Sequence, residues 1–174
     1  NPFGYVSPTT AEHVRAGLGE RIGHILDGGA CSVGLESTIV DVRDPARPRL
    51  LRPGAITREQ VEQVLRRKVG SGRTAGSARK AQLAPGMLKR HYSPRTPVTL
   101  HERLSAKAVT TGGKKDAWVF AARPKGVTRD NIFWLDPRGD LRGAARRLFA
   151  LLRRLDNAGH TRIHLENIPD HAGL

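Results

Sequence analysis

Apolar residues recur along this chain at several spacings, and each spacing predicts an element. Val14, Leu18, Ile22 and Ile25 stand four, four and three residues apart, the spacing of one helical face. Thr9 or Thr10 is placed to cap that helix, and Asp27-Gly28-Gly29 to end it. Ala30 to Val33 reads as a short strand with Cys31 as a small buried residue. Thr38, Ile39, Val40 and Val42 are β-branched and predict a strand. Asp44-Pro45 and Arg47-Pro48 punctuate a turn, and Arg49-Leu50-Leu51-Arg52 predicts a return strand stopped by Pro53-Gly54. Thr57-Arg58-Glu59-Gln60 has the form of a capping box. The helix it opens would bury Val61, Val64 and Leu65 and end near Lys68 to Gly70.

The pattern then breaks. Residues 70–97 are rich in Gly, Ser and Pro and carry Arg73, Arg79, Lys80, Lys89, Arg90 and Arg95 with no acid. That composition predicts an extended linker rather than a packed element. Its aromatic pair is His91-Tyr92, with Tyr92 placed to anchor the linker by packing on a domain surface. Periodicity resumes beyond it, and residues 98–174 read as a second, smaller α/β unit. Ala117 to Ala121 and Asn131 to Leu135 are apolar strands. Asp140 can cap a helix with Ala144, Leu148, Leu151, Leu152 and Leu155 on its apolar side. Arg142, Arg146, Arg147, Arg153 and Arg154 decorate the other faces and read as a solvated surface. Asn157 to His160 ends the helix, and Arg162 to Glu166 begins another strand.

Composition narrows the possibilities. The chain has 174 residues, 38% of them hydrophobic and 5% aromatic, which is lean but sufficient for a folded α/β core. No apolar run approaches the roughly 18 residues of a membrane helix. Asn1-Pro2-Phe3-Gly4 has neither the basic nor the apolar region of a secretory signal. A single cysteine excludes an internal disulfide and fits a reducing, cytoplasmic setting. The net charge of +14 has two readings, an electrostatic footprint for nucleic acid or an anion site on an arginine-rich background. Only 2 Trp and 2 Tyr are present, so platforms for stacking single strands are scarce. His24, His101, His160 and His164 show no i,i+4 zinc spacing, and no metal-ligand cluster is expected.

The hairpin carries the candidate chemistry. Ser37 and Thr38 place two hydroxyls at the start of its first strand, and Arg52 stands on the second. A hydroxyl pair near a planar, permanently charged fork of donors suits a carboxylate or phosphate. An ordinary hairpin with a surface arginine has the same spacing.

Motifs in order along the chain go further. Asn1-Pro2-Phe3-Gly4, Ser7-Pro8-Thr9-Thr10-Ala11-Glu12-His13-Val14, Gly34-Leu35-Glu36-Ser37-Thr38-Ile39-Val40-Asp41, Leu51-Arg52-Pro53-Gly54-Ala55-Ile56, Pro85-Gly86-Met87 and His91-Tyr92-Ser93-Pro94 together resemble the Sua5 branch of the YrdC/Sua5 family. The resemblance implies an α/β fold in three parts. Residues 1–69 would be the C-terminal part of a YrdC-like twisted mixed-sheet domain. Residues 70–97 would be a linker acting as a lid, and residues 98–174 a small Rossmann-like Sua5 C-terminal domain. It implies a nucleotidyltransferase, a threonylcarbamoyl-AMP synthase acting on L-threonine, bicarbonate and ATP with Mg²⁺. A downstream complex then transfers the threonylcarbamoyl group to tRNA.

By the same resemblance, Asn1 and Arg52 would bind ATP and Ser37 the threonyl or carbamate moiety. Ser37 and Arg52 would be the catalytic pair, and His91 and Tyr92 would close over the pocket. The family's Lys-x-Arg pair and the serine of its Ser-x-Asn motif would precede Asn1, and the last domain usually runs on into a final helix. A fragment inactive alone is therefore expected. The alternative is a double-stranded RNA-binding or translation-factor-like module, bound through shape and phosphate contacts.

Overall fold

The computed structural model describes residues 4–72, 93–127 and 129–168. They fall into two compact units: residues 35–72, and residues 4–34 together with 93–168.

In the unit of residues 35–72, β1 (Ile39–Asp41) pairs antiparallel with β2 (Arg49–Arg52). After α2 (Arg58–Leu65), β3 (Gly70–Ser71) adds to β2 in parallel. β3 therefore begins the segment whose composition predicts a linker. The turn of the hairpin is held by its acids. Asp44 accepts from the Ala46 amide at 2.9 Å, while the buried Asp41 accepts from Arg43 Nη2 at 2.8 Å and Arg49 Nη2 at 2.7 Å. Those hydrogen bonds, Arg43 first, hold the Asp41 carboxyl well below the usual carboxylate range.

The capping box of α2 is present in both directions. Thr57 Oγ1 accepts from the Gln60 amide at 3.2 Å, and Gln60 Oε1 accepts from the Thr57 amide at 2.9 Å. The apolar stripe, however, is not buried: Val64 is 82% exposed and Leu65 38%. Periodicity forms the stripe, but burial needs an opposing surface, and among the described residues this small sheet does not supply one.

The other unit is a four-stranded parallel sheet in the order β4-β7-β5-β6. Its strands are β4 (Val98–His101), β5 (Ala117–Ala122), β6 (Ile132–Asp136) and β7 (Ile163–Glu166). Helix α3 (Ala106–Thr111) follows β4, and α4 (Leu141–Asp156) joins β6 to β7. β5 is interior to the sheet, and Ala117, Trp118, Val119 and Phe120 are all buried, as expected of a strand covered on both faces. Leu104, Val109, Trp118, Phe120 and Ile132 form one core cluster. Leu135, Leu155 and Ile163 are fully buried, each worth about 1.5–3 kcal/mol relative to exposure. Asp140 caps α4 by accepting from the Gly143 amide at 2.7 Å.

Three further expectations are corrected here. The first helix, α1 (Ala11–Leu18), is capped by Thr10 but stops at Gly19, where φ is 52°. Ile22 and Ile25 lie beyond it. Gly17, Gly19 and Gly23 outweigh the apolar spacing, since each glycine costs a helix about 1 kcal/mol. Ala30 to Val33 forms no strand, and Cys31 is exposed; its amide donates to the Thr9 carbonyl at 2.9 Å. Arg153, read as a solvated decoration of α4, is 5% exposed. Two histidines far apart in sequence lie together without forming a metal cluster: His101 Nε2 and His164 Nδ1 are 2.8 Å apart. His164 stacks on Trp118 at 4.0 Å and lies 3.6 Å from Asp116 Oδ2. Among the described residues, no three His, Cys, Asp or Glu side chains are grouped to hold a metal, and no helix is long and apolar enough to cross a membrane.

Candidate functional site

The hairpin of β1 and β2 is irregular where its chemistry lies. Ile39 pairs with Arg52 but Val40 pairs with Leu50, so Leu51 is an extra residue on β2. Such a bulge bends the strand and re-aims its neighbours. Arg52 is thereby turned to the chain just ahead of β1. Its Nε donates to the Ser37 carbonyl at 2.9 Å and its Nη2 to Ser37 Oγ at 2.8 Å. Its Nη1 lies 3.4 Å from Glu36 Oε2. The Arg52 side chain is 11% exposed and that of Glu36 21%. The guanidinium is therefore held in one plane by Ser37 on one edge and Glu36 on the other.

The structure thus brings Ser37 and Arg52 together. The two hydroxyls have separate roles. Thr38 Oγ1 donates to the Ile56 carbonyl at 2.6 Å and accepts from the Ile56 amide at 3.1 Å. That reciprocal latch ties the start of β1 to the chain entering α2, so Thr38 is a fastener, whereas the Ser37 hydroxyl faces the Arg52 guanidinium. Gly54 makes the close approach possible. A Cβ there would lie 2.4 Å from the Thr38 nitrogen, 2.5 Å from the Glu36 oxygen and 2.6 Å from the Ser37 carbonyl carbon. Glu36 and Gly54 were visible in the sequence as motif letters, but no spacing rule assigns them these contacts. Asn1, His91 and Tyr92 lie outside the described residues.

A second polar node lies in the other unit, on α4. Arg153 Nε donates to the Ser7 carbonyl at 3.2 Å, its Nη2 donates to the Val6 carbonyl, and its guanidinium lies 4.7 Å over the Tyr5 ring. Tyr5 OH donates to Asp156 Oδ2 at 2.8 Å, and the Thr96 amide donates to Asp156 Oδ1 at 2.7 Å. Burial disfavours the charged form of Arg153, while Tyr5 and Asp156 favour it. Nothing in the sequence pairs residues 147 positions apart.

Fold and site together define an α/β protein of two units, one carrying a serine–guanidinium pair suited to an anionic group. Comparison with known proteins sharpens this class. A model of the threonylcarbamoyl-AMP synthase C-terminal domain matches residues 56–174, and a second family model, described as telomere recombination, matches residues 1–54. The chain is 33% identical to threonylcarbamoyl-AMP synthase of Bacillus subtilis over 177 residues and 32% identical to that of Pyrococcus abyssi over 182. Each alignment covers 98% of this chain and 51% of the relative. Among solved structures, P. abyssi Sua5 complexed with L-threonine superimposes with a TM-score of 0.78 at 31% identity, over 97% of this chain and 51% of that one. The chain belongs to the threonylcarbamoyl-AMP synthase family, in its Sua5 branch. It spans about half the length of the curated relatives it matches.

Proposed function

We propose that this chain supplies part of an enzyme that makes threonylcarbamoyl-AMP and pyrophosphate from L-threonine, bicarbonate and ATP. The observation that carries the reading is the likeness over 97% of the chain to a structure solved with L-threonine. The Ser37–Arg52 pair gives it local chemistry. Threonine's amine adds to bicarbonate carbon and water leaves, giving a carbamate. A carbamate oxygen attacks the α-phosphorus of ATP, and the bond to pyrophosphate breaks. Two anionic reactants must be brought together, and a fixed guanidinium lowers that cost. Arg52, already oriented by Ser37, would receive ATP phosphate oxygens, and Ser37 the threonyl or carbamate group. Asn1 would hold the nucleotide, and His91 and Tyr92 would close over it. Most of the rate would come from positioning. Mg²⁺ belongs in this reading to the ATP substrate, on its phosphates.

The product, a mixed anhydride of a carbamate and a phosphate, passes to a threonylcarbamoyl transferase complex that modifies tRNA. The cytoplasm is the compartment where ATP, threonine and tRNA meet. Contact with RNA itself is weak and sequence-blind on this reading, through the arginine-rich surface. The test uses the whole native polypeptide carrying these residues. Pyrophosphate release from ATP is measured with threonine and bicarbonate each added or withheld. Release that requires both is expected; release indifferent to threonine would overturn the reading.

A further inference from the structure

Strand β6 is an edge of the four-stranded sheet, paired with β5 on one side and with no strand on the other among the described residues. The register decides what that open side offers. Trp118 stands opposite Ile132 and Phe120 opposite Trp134, and the Trp118 amide donates to the Asn131 carbonyl at 2.9 Å. In a parallel ladder, the residue directly opposite such a donor turns its own amide and carbonyl the other way. Two residues along, Trp134 has the same phase, so its main chain points away from β5 and towards the open edge.

A groove of about 400 Å³ is lined by β6 and α4. Its floor is apolar, with Ile132, Phe133 and Trp134 from the strand and Ala150 and Leu151 from the helix. Its rim is cationic. Arg147 and Arg154 of α4 line it, and both are exposed. Arg154 lies 5.3 Å over the Phe133 ring, and Arg123, just after β5, lies 5.0 Å over the Trp134 ring. Among the described residues, none of these three guanidinium groups has a carboxylate partner. Asp136, the acid at the end of β6, accepts from the Arg138 and Asp140 amides at 2.8 and 3.1 Å.

Open main chain, apolar floor and a rim of one sign together select the occupant. A second copy of this chain would bring the same arginines against these, and charges at an edge keep copies from pairing. A nucleic-acid base finds each aromatic ring already carrying a guanidinium. An extended acidic segment meets all three features. Its main chain continues the sheet, its alternate apolar side chains enter the groove, and its carboxylates take the guanidinium forks. We propose that β6 and α4 form a docking site for a segment of a partner protein in which acidic and apolar residues alternate, added to the sheet as a further strand. The groove lies wholly within the unit of residues 4–34 and 93–168, so the inference stands apart from the chemistry assigned to Ser37 and Arg52.

The experiment follows fluorescence anisotropy of labelled peptides titrated with the whole native polypeptide. The probes are peptides alternating glutamate with leucine or aspartate with phenylalanine, a lysine–leucine counterpart, and the acidic peptides with proline at alternate positions. The acidic peptides should bind, less tightly as salt rises. The lysine peptide should not bind, and proline should weaken binding by about tenfold or more, because it cannot donate to the ladder. The Arg147→Glu, Arg154→Glu double variant should weaken binding by about tenfold or more, since like charges then face each other. Both positions are exposed, and urea unfolding checks the fold; Arg147→Gln with Arg154→Gln serves if the reversal does not fold. Failure of both acidic peptides to bind the wild-type protein overturns the inference, as does affinity unchanged by the arginine variants or by proline. Displacement of the peptide by an oligouridylate would make the groove an RNA site. Competition between peptide binding and a dimer seen by sedimentation would make it a self-contact. Either result also overturns the inference.

Discussion

Gly54→Ala should damage the Ser37–Arg52 pair without touching either side chain. The added Cβ would lie 2.4 Å from the Thr38 nitrogen, against an ordinary contact that begins at 3.4 Å. One backbone segment must therefore retreat by about 1 Å, and overpacking of this kind costs typically about 1–3 kcal/mol. The atoms met are main chain of Glu36, Ser37 and Thr38, so no flexible side-chain end can swing aside. A retreat of that size lengthens the 2.8 and 2.9 Å bonds from Arg52 to Ser37 to about 3.8 Å, outside hydrogen-bonding range. Each bond to a charged group contributes about 1.5–3 kcal/mol, so threonine or ATP affinity should drop by tenfold or more. Gly28→Ala is the control, because nothing lies within 4 Å of its Cβ position and its backbone is not left-handed. That change should be neutral or stabilise by up to about 1 kcal/mol. Urea unfolding and calorimetric titration with threonine and with ATP, run on both variants of the whole polypeptide, separate the cases. Equal midpoints and equal affinities for the two variants would refute the steric argument.

Other outcomes follow from the same coordinates. Arg52→Ala should weaken ATP binding by about 2–5 kcal/mol, with Arg52→Lys only partly restoring it, as read by calorimetry; an unchanged affinity would remove Arg52 from the site. Asp41 should make the hairpin acid-labile. Its folded carboxyl is held below the ordinary 3.8, so its contribution is present above that value and is lost as pH falls toward the lower folded value. Asp41→Asn should flatten that acid limb in circular dichroism melts. His164 acts in the same direction at higher pH. Burial first, then repulsion from His101, lowers it below 6.5 against the pull of Asp116, so the folded state refuses a proton that the unfolded chain accepts. Stability should therefore fall as pH drops through 6.5, and His164→Phe, which keeps the stack on Trp118, should reduce that slope. Any RNA affinity should collapse between low and high salt in filter binding, because released counterions drive it; salt-tolerant binding to a structured RNA would favour the binding-module alternative.

Local signals in the sequence carried well where the physics is local. The capping box at Thr57 and Gln60, the Asp140 cap and the hairpin turn at Asp44 all depend on neighbours a few residues away, and all are present. Elements whose fate depends on a distant surface were not legible. The stripe of α2 has the right period but stays exposed, and α1 loses its last turns to glycines that an apolar count ignores. β3 and β4 are short and gave no run long enough to separate them from loop, and α3 is only 6 residues long.

The site divides along the same line. Ser37 and Arg52 could be paired from sequence because a hairpin folds its two strands back on each other across a short turn. The bulge at Leu51, the Glu36 contact and the latch at Thr38 could not, because each is a choice among backbone geometries that the same letters allow. Arg153 lay furthest out of reach. On a helix with five arginines, four exposed and one buried, composition treats all five alike, and only the tertiary fold puts the Val6 carbonyl, the Ser7 carbonyl and the Tyr5 ring around one of them. A basic helix thus has two kinds of arginine. Those facing solvent set the long-range field, which screens within about 10 Å at 0.1 M salt. The one facing inward is insulated from salt, so the stability lost in Arg153→Ala should be the same at low and high ionic strength in urea unfolding, whereas changes at Arg142 or Arg146 should matter only when salt is low.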